Sequence, residues 1–249
     1  MKLKFNLPLI FFFILVISVF VMIVSSSFFN VLYDDSFYSQ SFEKNNVYDV
    51  IDVPDMKVME VIAFLNGENL NLSHSNPPFQ DIQFSKQEIE HLEDVRDLIL
   101  GFRNLYFISF GLFVLLFSAF VFNLVTKYKG TATFKKKFSL FFIKLQISVL
   151  SVSSIFIFIF WAIAFFNFTN FFDRFHHIFF EEGTWTFPSN SLSITLFPEN
   201  FFYDFFIKVL SNIFVFLILL ALLLFFVVYL SKMGSRKDSN LSKESHKKN

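Results

Sequence analysis

Four stretches of the chain stay apolar for long enough to cross about 30 Å of hydrocarbon at about 1.5 Å per helical residue. They run from Pro8 to Val24, Asn104 to Val125, Leu145 to Phe166 and Val209 to Leu230. The first exceeds the apolar core of about 7–15 residues found in a signal peptide, so it reads as a retained anchor although Ser25, Ser26 and Ser27 follow it. The pattern predicts a membrane protein, a four-helix transmembrane bundle with a small extracytoplasmic α+β cap domain. The expected division is residues 1–24 for the N-terminus and first span, 25–103 for the cap, 104–126 for the second span and 127–144 for a Lys-rich loop. Residues 145–166 form the third span, 167–208 an aromatic and histidine-bearing loop, 209–230 the fourth span and 231–249 a disordered tail.

Within the cap, Asn45 to Val61 mixes Val and Ile with Asp and Pro54, which predicts short strands and then a brief helix near Val58–Leu65. Asn66-Gly67 and Asn76-Pro77-Pro78 are turn signals. A clear helix follows. Ser85 and Glu88 have the spacing of a capping box, and Phe84 with Ile89 suits the hydrophobic staple around it. Ile89, Leu92, Val95 or Arg96, and Ile99 make one apolar stripe, and this helix leads straight into the second span.

Composition sharpens the class. The chain has 249 residues, 54% hydrophobic and 17% charged, with 44 Phe. A soluble domain carries about 25% charged residues. There is no cysteine, which excludes disulfides, thiolate metal sites and a Cys nucleophile. No Gly-x-Ser-x-Gly elbow, His-Glu-x-x-His or phosphate-binding loop occurs, so nothing points to a cofactor, a nucleotide or a nucleic acid.

The net charge of zero conceals a segregation. Lys127, Lys129, Lys135, Lys136 and Lys137 lie together without an acid, and the tail after Ser231 is also basic. Residues 27–103 hold 14 acids against 5 bases. Positive charge stays on the cytoplasmic side, so both termini and the Lys loop are expected there, in the cell membrane, with residues 25–103 and 167–208 outside. Lys144 is placed to snorkel to the inner surface.

Two outward clusters carry the candidate chemistry. On the helix before the second span, His91 lies at the edge of the apolar stripe, with Glu88 and Asp94 at i−3 and i+3 as groups that could orient it. Beyond the third span, Asp173-Arg174-Phe175-His176-His177 precedes Trp185. An interfacial aromatic belt explains the Phe and Trp residues but not two histidines and an arginine at headgroup depth. Arg174 could hold a carbonyl oxygen or a lipid headgroup. His74 and His246 have no evident partner and read as incidental. A metal reading with His91, His176 and His177 lacks the usual spacing, so no metal is expected.

Phe175-His176-His177-Ile178-Phe179-Phe180, Gly183-Thr184-Trp185-Thr186-Phe187-Pro188 and Leu196-Phe197-Pro198-Glu199-Asn200-Phe201-Phe202 together resemble a family of four-span bacterial and archaeal membrane proteins that includes the lipoprotein intramolecular transacylase Lit. The stretch from Phe84 through Glu88, His91, Asp94 and Val95 resembles the family's other signature, and Glu43-Lys44-Asn45-Asn46-Val47 its segment after the first span. The resemblance spans residues 8–230 and departs from the family at Glu182-Gly183-Thr184 before the Trp. It implies transfer of an acyl chain from the glyceryl ester of a diacylated lipoprotein to its N-terminal amine, with His91 and His176 catalytic. Glu88, Asp94, Arg174, His177 and Trp185 are supporting candidates, and His177 is an ambiguous neighbour of His176. The expected partners are membrane lipids and diacylated lipoproteins, and the expected state is a monomer. The alternative is a non-catalytic, membrane-anchored binding or assembly protein whose histidines are structural.

Overall fold

The computed structural model describes residues 7–51, 54–68, 72 and 83–247. Its elements are α1 (Leu7–Leu32), α2 (Asp35–Lys44), a 3-10 turn (Val47–Asp49), α3 (Pro54–Leu65), α4 (Lys86–Tyr128), α5 (Ala132–Phe179), α6 (Leu192–Leu196) and α7 (Glu199–Lys247). The helices α1, α4, α5 and α7 are long and apolar enough to cross a membrane, and only 6–22% of their most apolar windows is buried inside the protein. Apolar surface left outside the protein core in this way suits a lipid surround. α4, with 43 residues, is about 65 Å long and so exceeds a bilayer core about twofold. The surplus is its charged first part, which carries Lys86, Glu88, Glu90, Glu93, Asp94, Arg96 and Asp97.

The α+β cap is not supported: among the described residues there is no strand, and the cap is helical. Val47, Ile51, Val58 and Val61 do go inside, but Val47 from a 3-10 turn, Ile51 from the link after it, and Val58 and Val61 from a helix that begins at Pro54, a residue preorganised for a first helical position. Burial of β-branched residues signalled core, and here the core is made by helices. The tail differs too. The backbone continues as helix to Lys247 where disorder was expected from residue 231, since a growing helix adds residues without a new nucleation cost and no Pro interrupts it. The expected Lys loop reduces to a turn around Gly130, which adopts φ +76°, and Lys135, Lys136 and Lys137 lie on α5. His74 and Asn76-Pro77-Pro78 lie outside the described residues.

The chain divides into two compact units. One comprises Met1–Ile23, Ile108–Phe156 and Ile213–Asn249. Its core is thin: Leu15, Val16, Leu145 and Val149 are buried, with Phe11, Phe12, Phe113, Phe117 and Phe141 packed against them. The other comprises Val24–Phe107 and Ile157–Asn212. It holds the larger core, in which Val31, Phe42, Val61, Phe64, Leu72 and Leu196 are almost wholly enclosed. Phe201 meets Phe37, Tyr38 and Phe42 with ring centroids 5.5, 5.7 and 6.0 Å apart, joining the start of α7 to α2. The Tyr38 hydroxyl donates to the Leu32 carbonyl at 2.9 Å, and Lys44 pairs with Asp204. Lys57 is buried and forms an ion pair with Glu60 at 2.9 Å.

Candidate functional site

The candidate site lies within the second unit, on the first turns of α4, the last turns of α5 and the segment between α5 and α6. The capping box at the head of α4 forms as the sequence predicts. The Ser85 backbone N–H donates to Glu88 Oε2 at 2.7 Å, and the Glu88 N–H donates to Ser85 Oγ at 3.3 Å. Phe84 and Ile89 join the same core.

The same turn also fastens a distant loop. Glu88 Oε1 accepts from the Ser193 backbone N–H of α6 at 2.7 Å. Gln87 Nε2 donates to the carbonyls of Gly183 and Thr186 at 2.9 and 3.3 Å, gripping the backbone on both sides of Trp185. Burial pushes the Glu88 carboxyl up, but the backbone donors from Ser193 and Ser85 outweigh it and leave the net shift downward. Glu88 therefore stays ionised, and its oxygens serve backbone donors rather than His91.

On α5, Asn167 leaves the helical region with φ −165° and ψ 76°. Its Oδ1 accepts from the Asn170 N–H at 3.0 Å, the bond of an N-cap. A fresh helical segment starts there, and His176 sits near its end. His176 is buried, and its Nδ1 is 2.7 Å from the Phe172 carbonyl oxygen. A carbonyl only accepts, so Nδ1 carries the hydrogen and Nε2 keeps the lone pair in the neutral ring.

His91 and His176 come together with ring centroids 6.0 Å apart and planes inclined by 27°. Phe180 is edge-on to His91 at 4.7 Å and meets His176 at 5.5 Å. Phe187 flanks His91 at 5.5 Å, and Trp185 lies over His176 at 4.7 Å. This aromatic wall desolvates both imidazoles. Burial, with repulsion from His176, lowers His91 to about 4. His176 is lowered as well, chiefly by burial, while its bond to Phe172 and the Asp173 carboxylate oppose the shift and His177 adds to it. Both rings are neutral near pH 7. Two polar atoms of the cluster are enclosed without a hydrogen-bond partner, His91 Nδ1 and Trp185 Nε1.

A cavity of about 480 Å³ adjoins the pair through Phe180 and is walled by Asp94, Asp97, Leu98, Phe179, Glu181 and Thr184. Asp94 is exposed there and does not bond His91 Nδ1, so neither proposed carboxylate orients that ring. His177 is exposed and touches only the edge of Trp185, at 5.2 Å. Arg174 bonds Asn170 Oδ1 at 3.3 Å and lines a separate apolar hollow with Ala162, Ile163 and Phe166. Among the described residues, no group of three or more His, Asp or Glu is placed to hold a metal ion.

Sequence reasoning missed Gln87, Phe180, Phe187 and the Phe172 carbonyl. A backbone carbonyl lies at i−4 of any helical histidine, so residue types alone carried no signal for the Phe172 bond. Chemically, the cluster offers two neutral imidazoles, one with a fixed tautomer, beside an unpaired indole donor in a water-poor setting. That set can move a proton between two substrate atoms and steady a developing negative charge.

The family model described as lipoprotein intramolecular transacylase Lit matches residues 12–202. No curated protein sequence matches the chain. Among solved structures, the fold is similar to that of the integral membrane lipoprotein intramolecular transacylase Lit from Bacillus cereus, with a TM-score of 0.72 at 17% identity, covering 92% of this chain and 99% of that one. Two variants of that protein, each with one histidine replaced, by arginine or by alanine, are also similar. They give TM-scores of 0.69 at 18% and 19% identity, covering 92% of this chain and 95% and 96% of theirs.

Proposed function

Since the chain belongs to the family of the lipoprotein intramolecular transacylase Lit, a family of multi-pass membrane proteins, we propose that it moves an acyl chain within a diacylated lipoprotein, from the glyceryl ester to the α-amine of the N-terminal cysteine. The observation that carries this reading is the meeting of His91 and His176 in one desolvated cluster, brought together from positions 85 residues apart in sequence.

The reaction needs no protein nucleophile, which agrees with a chain lacking cysteine. The substrate's neutral amine attacks the ester carbon and the C–N bond forms. Nε2 of His176 is the basic nitrogen available to take the ammonium proton, because Nδ1 is engaged by Phe172. As the tetrahedral intermediate collapses, the C–O bond to glycerol breaks and the imidazolium returns that proton to the leaving oxygen. Burial keeps the histidines unprotonated beforehand, and the aromatic wall keeps bulk water, the competing nucleophile, away. His91, whose Nδ1 is unpartnered, is the second imidazole within reach of the reacting atoms. Both termini are assigned to the cytoplasm on the strength of the Lys distribution, which leaves the cluster outside, where lipoproteins mature.

The test is mass spectrometry of the N-terminal lipopeptide of a reporter lipoprotein made in cells with diacylated lipoproteins. Co-expression should shift one acyl chain to the amine, and the shift should vanish with His91→Ala and with His176→Ala. Unchanged lipopeptides despite confirmed membrane insertion would remove this substrate and favour the binding-protein alternative.

A further inference from the structure

Trp185 is the residue of the cluster whose placement an interfacial anchor does not explain. Tryptophans at a membrane boundary are favoured because the indole N–H stays wet while the ring enters the apolar phase. Here Nε1 is enclosed and has no acceptor. An unpaired buried donor costs about 1–3 kcal/mol, and such groups persist where something in the working cycle supplies the partner. The ring is also held with more care than an anchor needs. It lies over His176 at 4.7 Å, His177 meets it edge-on at 5.2 Å, and Gln87 binds the carbonyls of Gly183 and Thr186 on either side of it. Gly183, at φ +87°, makes the tight backbone that permits this grip.

Acyl transfer creates a need for a donor of this kind. When the amine adds to the ester carbon, the carbonyl π electrons pass to oxygen, and an oxyanion exists until the C–O bond to glycerol breaks and the carbonyl re-forms. The two imidazoles supply proton transfer, and the His176 Nδ1–H is already given to Phe172. We propose that the Nε1–H of Trp185 is the oxyanion donor of this site, so that Trp185 is a catalytic residue rather than a membrane anchor. The inference rests on the acyl-transfer reading. The donor sits in the same aromatic cluster as the histidine pair, a dry setting where a preorganised donor has most effect.

The experiment uses the full-length protein in lipid nanodiscs with a synthetic diacylglyceryl-cysteine peptide, scored for N-acyl product. Trp185→Phe keeps an aromatic ring on His176 and deletes the N–H. Replacement of Trp185 by benzothienylalanine keeps the bicyclic shape and substitutes sulfur for the N–H, which preserves the packing should the phenylalanine variant be unstable. Both should lower kcat about 100-fold or more, leave KM within about threefold and leave the pH profile in place, with thermal unfolding unchanged in the second variant. A kcat within threefold of the wild type in either variant overturns the proposal, as does a rise in KM alone, which is the anchor's signature. No N-acyl product from the wild-type protein overturns the acyl-transfer reading and this role with it, whereas wild-type product with an unaffected variant removes the role of Trp185 alone.

Discussion

Nδ1 of His176 donates to the carbonyl oxygen of Phe172, one helical turn earlier, at 2.7 Å. This bond spends one ring nitrogen on the backbone and thereby decides which nitrogen can act as a base. His176→Asn carries an amide N–H to about the place of Nδ1 and has nothing at Nε2. It should unfold close to the wild-type temperature yet lose turnover by about 100-fold or more. Thermal unfolding in detergent together with the lipopeptide assay checks this. An active asparagine variant would sink the assignment of Nε2.

The pH response separates the histidines from the substrate. In the unfolded chain imidazoles protonate at about 6.5. In the folded protein burial holds His91 unprotonated down to about 4 and lowers His176 as well. The unfolded state thus binds more protons below about 6.5, so stability is full above that pH and declines as pH falls toward 4. Melting temperatures between pH 7.5 and 4.5 should show the decline, and His91→Phe should flatten it.

Turnover should follow a different group. An α-amine titrates at about 8, so kcat/KM should fall by one decade per pH unit below that value and show no second break near 6.5. A second break near 6.5 would mean that a histidine titrates normally during the reaction.

Glu88 supports the site from behind. Its carboxylate accepts from the backbone of Ser85 and of Ser193, 105 residues apart from it in the second case. Glu88→Ala strands both donors and should cost about 3 kcal/mol. Chemical denaturation would reveal the loss, and Glu88→Gln should recover part of it. Equal stability of the alanine variant would mean that the bond to α6 is dispensable.

Two phenylalanines should respond in opposite ways. Phe42 is fully enclosed and Phe166 is 80% exposed on an apolar span. Phe42→Ala should cost about 3–5 kcal/mol and Phe166→Ala under about 0.5 kcal/mol. The pair tests whether Phe abundance marks structure only where a side chain is enclosed by protein.

What could be foretold from sequence was local or one-dimensional. The spans needed only a count of apolar residues, and the capping box of Ser85 and Glu88 needed only a spacing of three. The non-helical backbone at Asn167, within α5, had no such local signal. The cap's secondary structure was not legible, since Val47, Ile51 and Val58 are buried by a fold-wide decision that their β-branched side chains do not encode. Within the site, both histidines could be named, but their meeting depends on Gln87 and Glu88 reaching across about a hundred residues to the α5–α6 segment. No periodicity records such a bond. The expected pairing of Glu88 with His91 failed for the same reason, because a distant backbone took the carboxylate first.

The break at Asn167 has one more consequence. A bilayer thicker or thinner than a span is met by tilting or turning the helix about its long axis. α4 has no such break, and His91 lies in its first two turns. α5 restarts at a side-chain cap after Asn167, and His176 takes its heading from the new segment. Of the two imidazoles, one belongs to an uninterrupted helix and the other to a segment that begins anew.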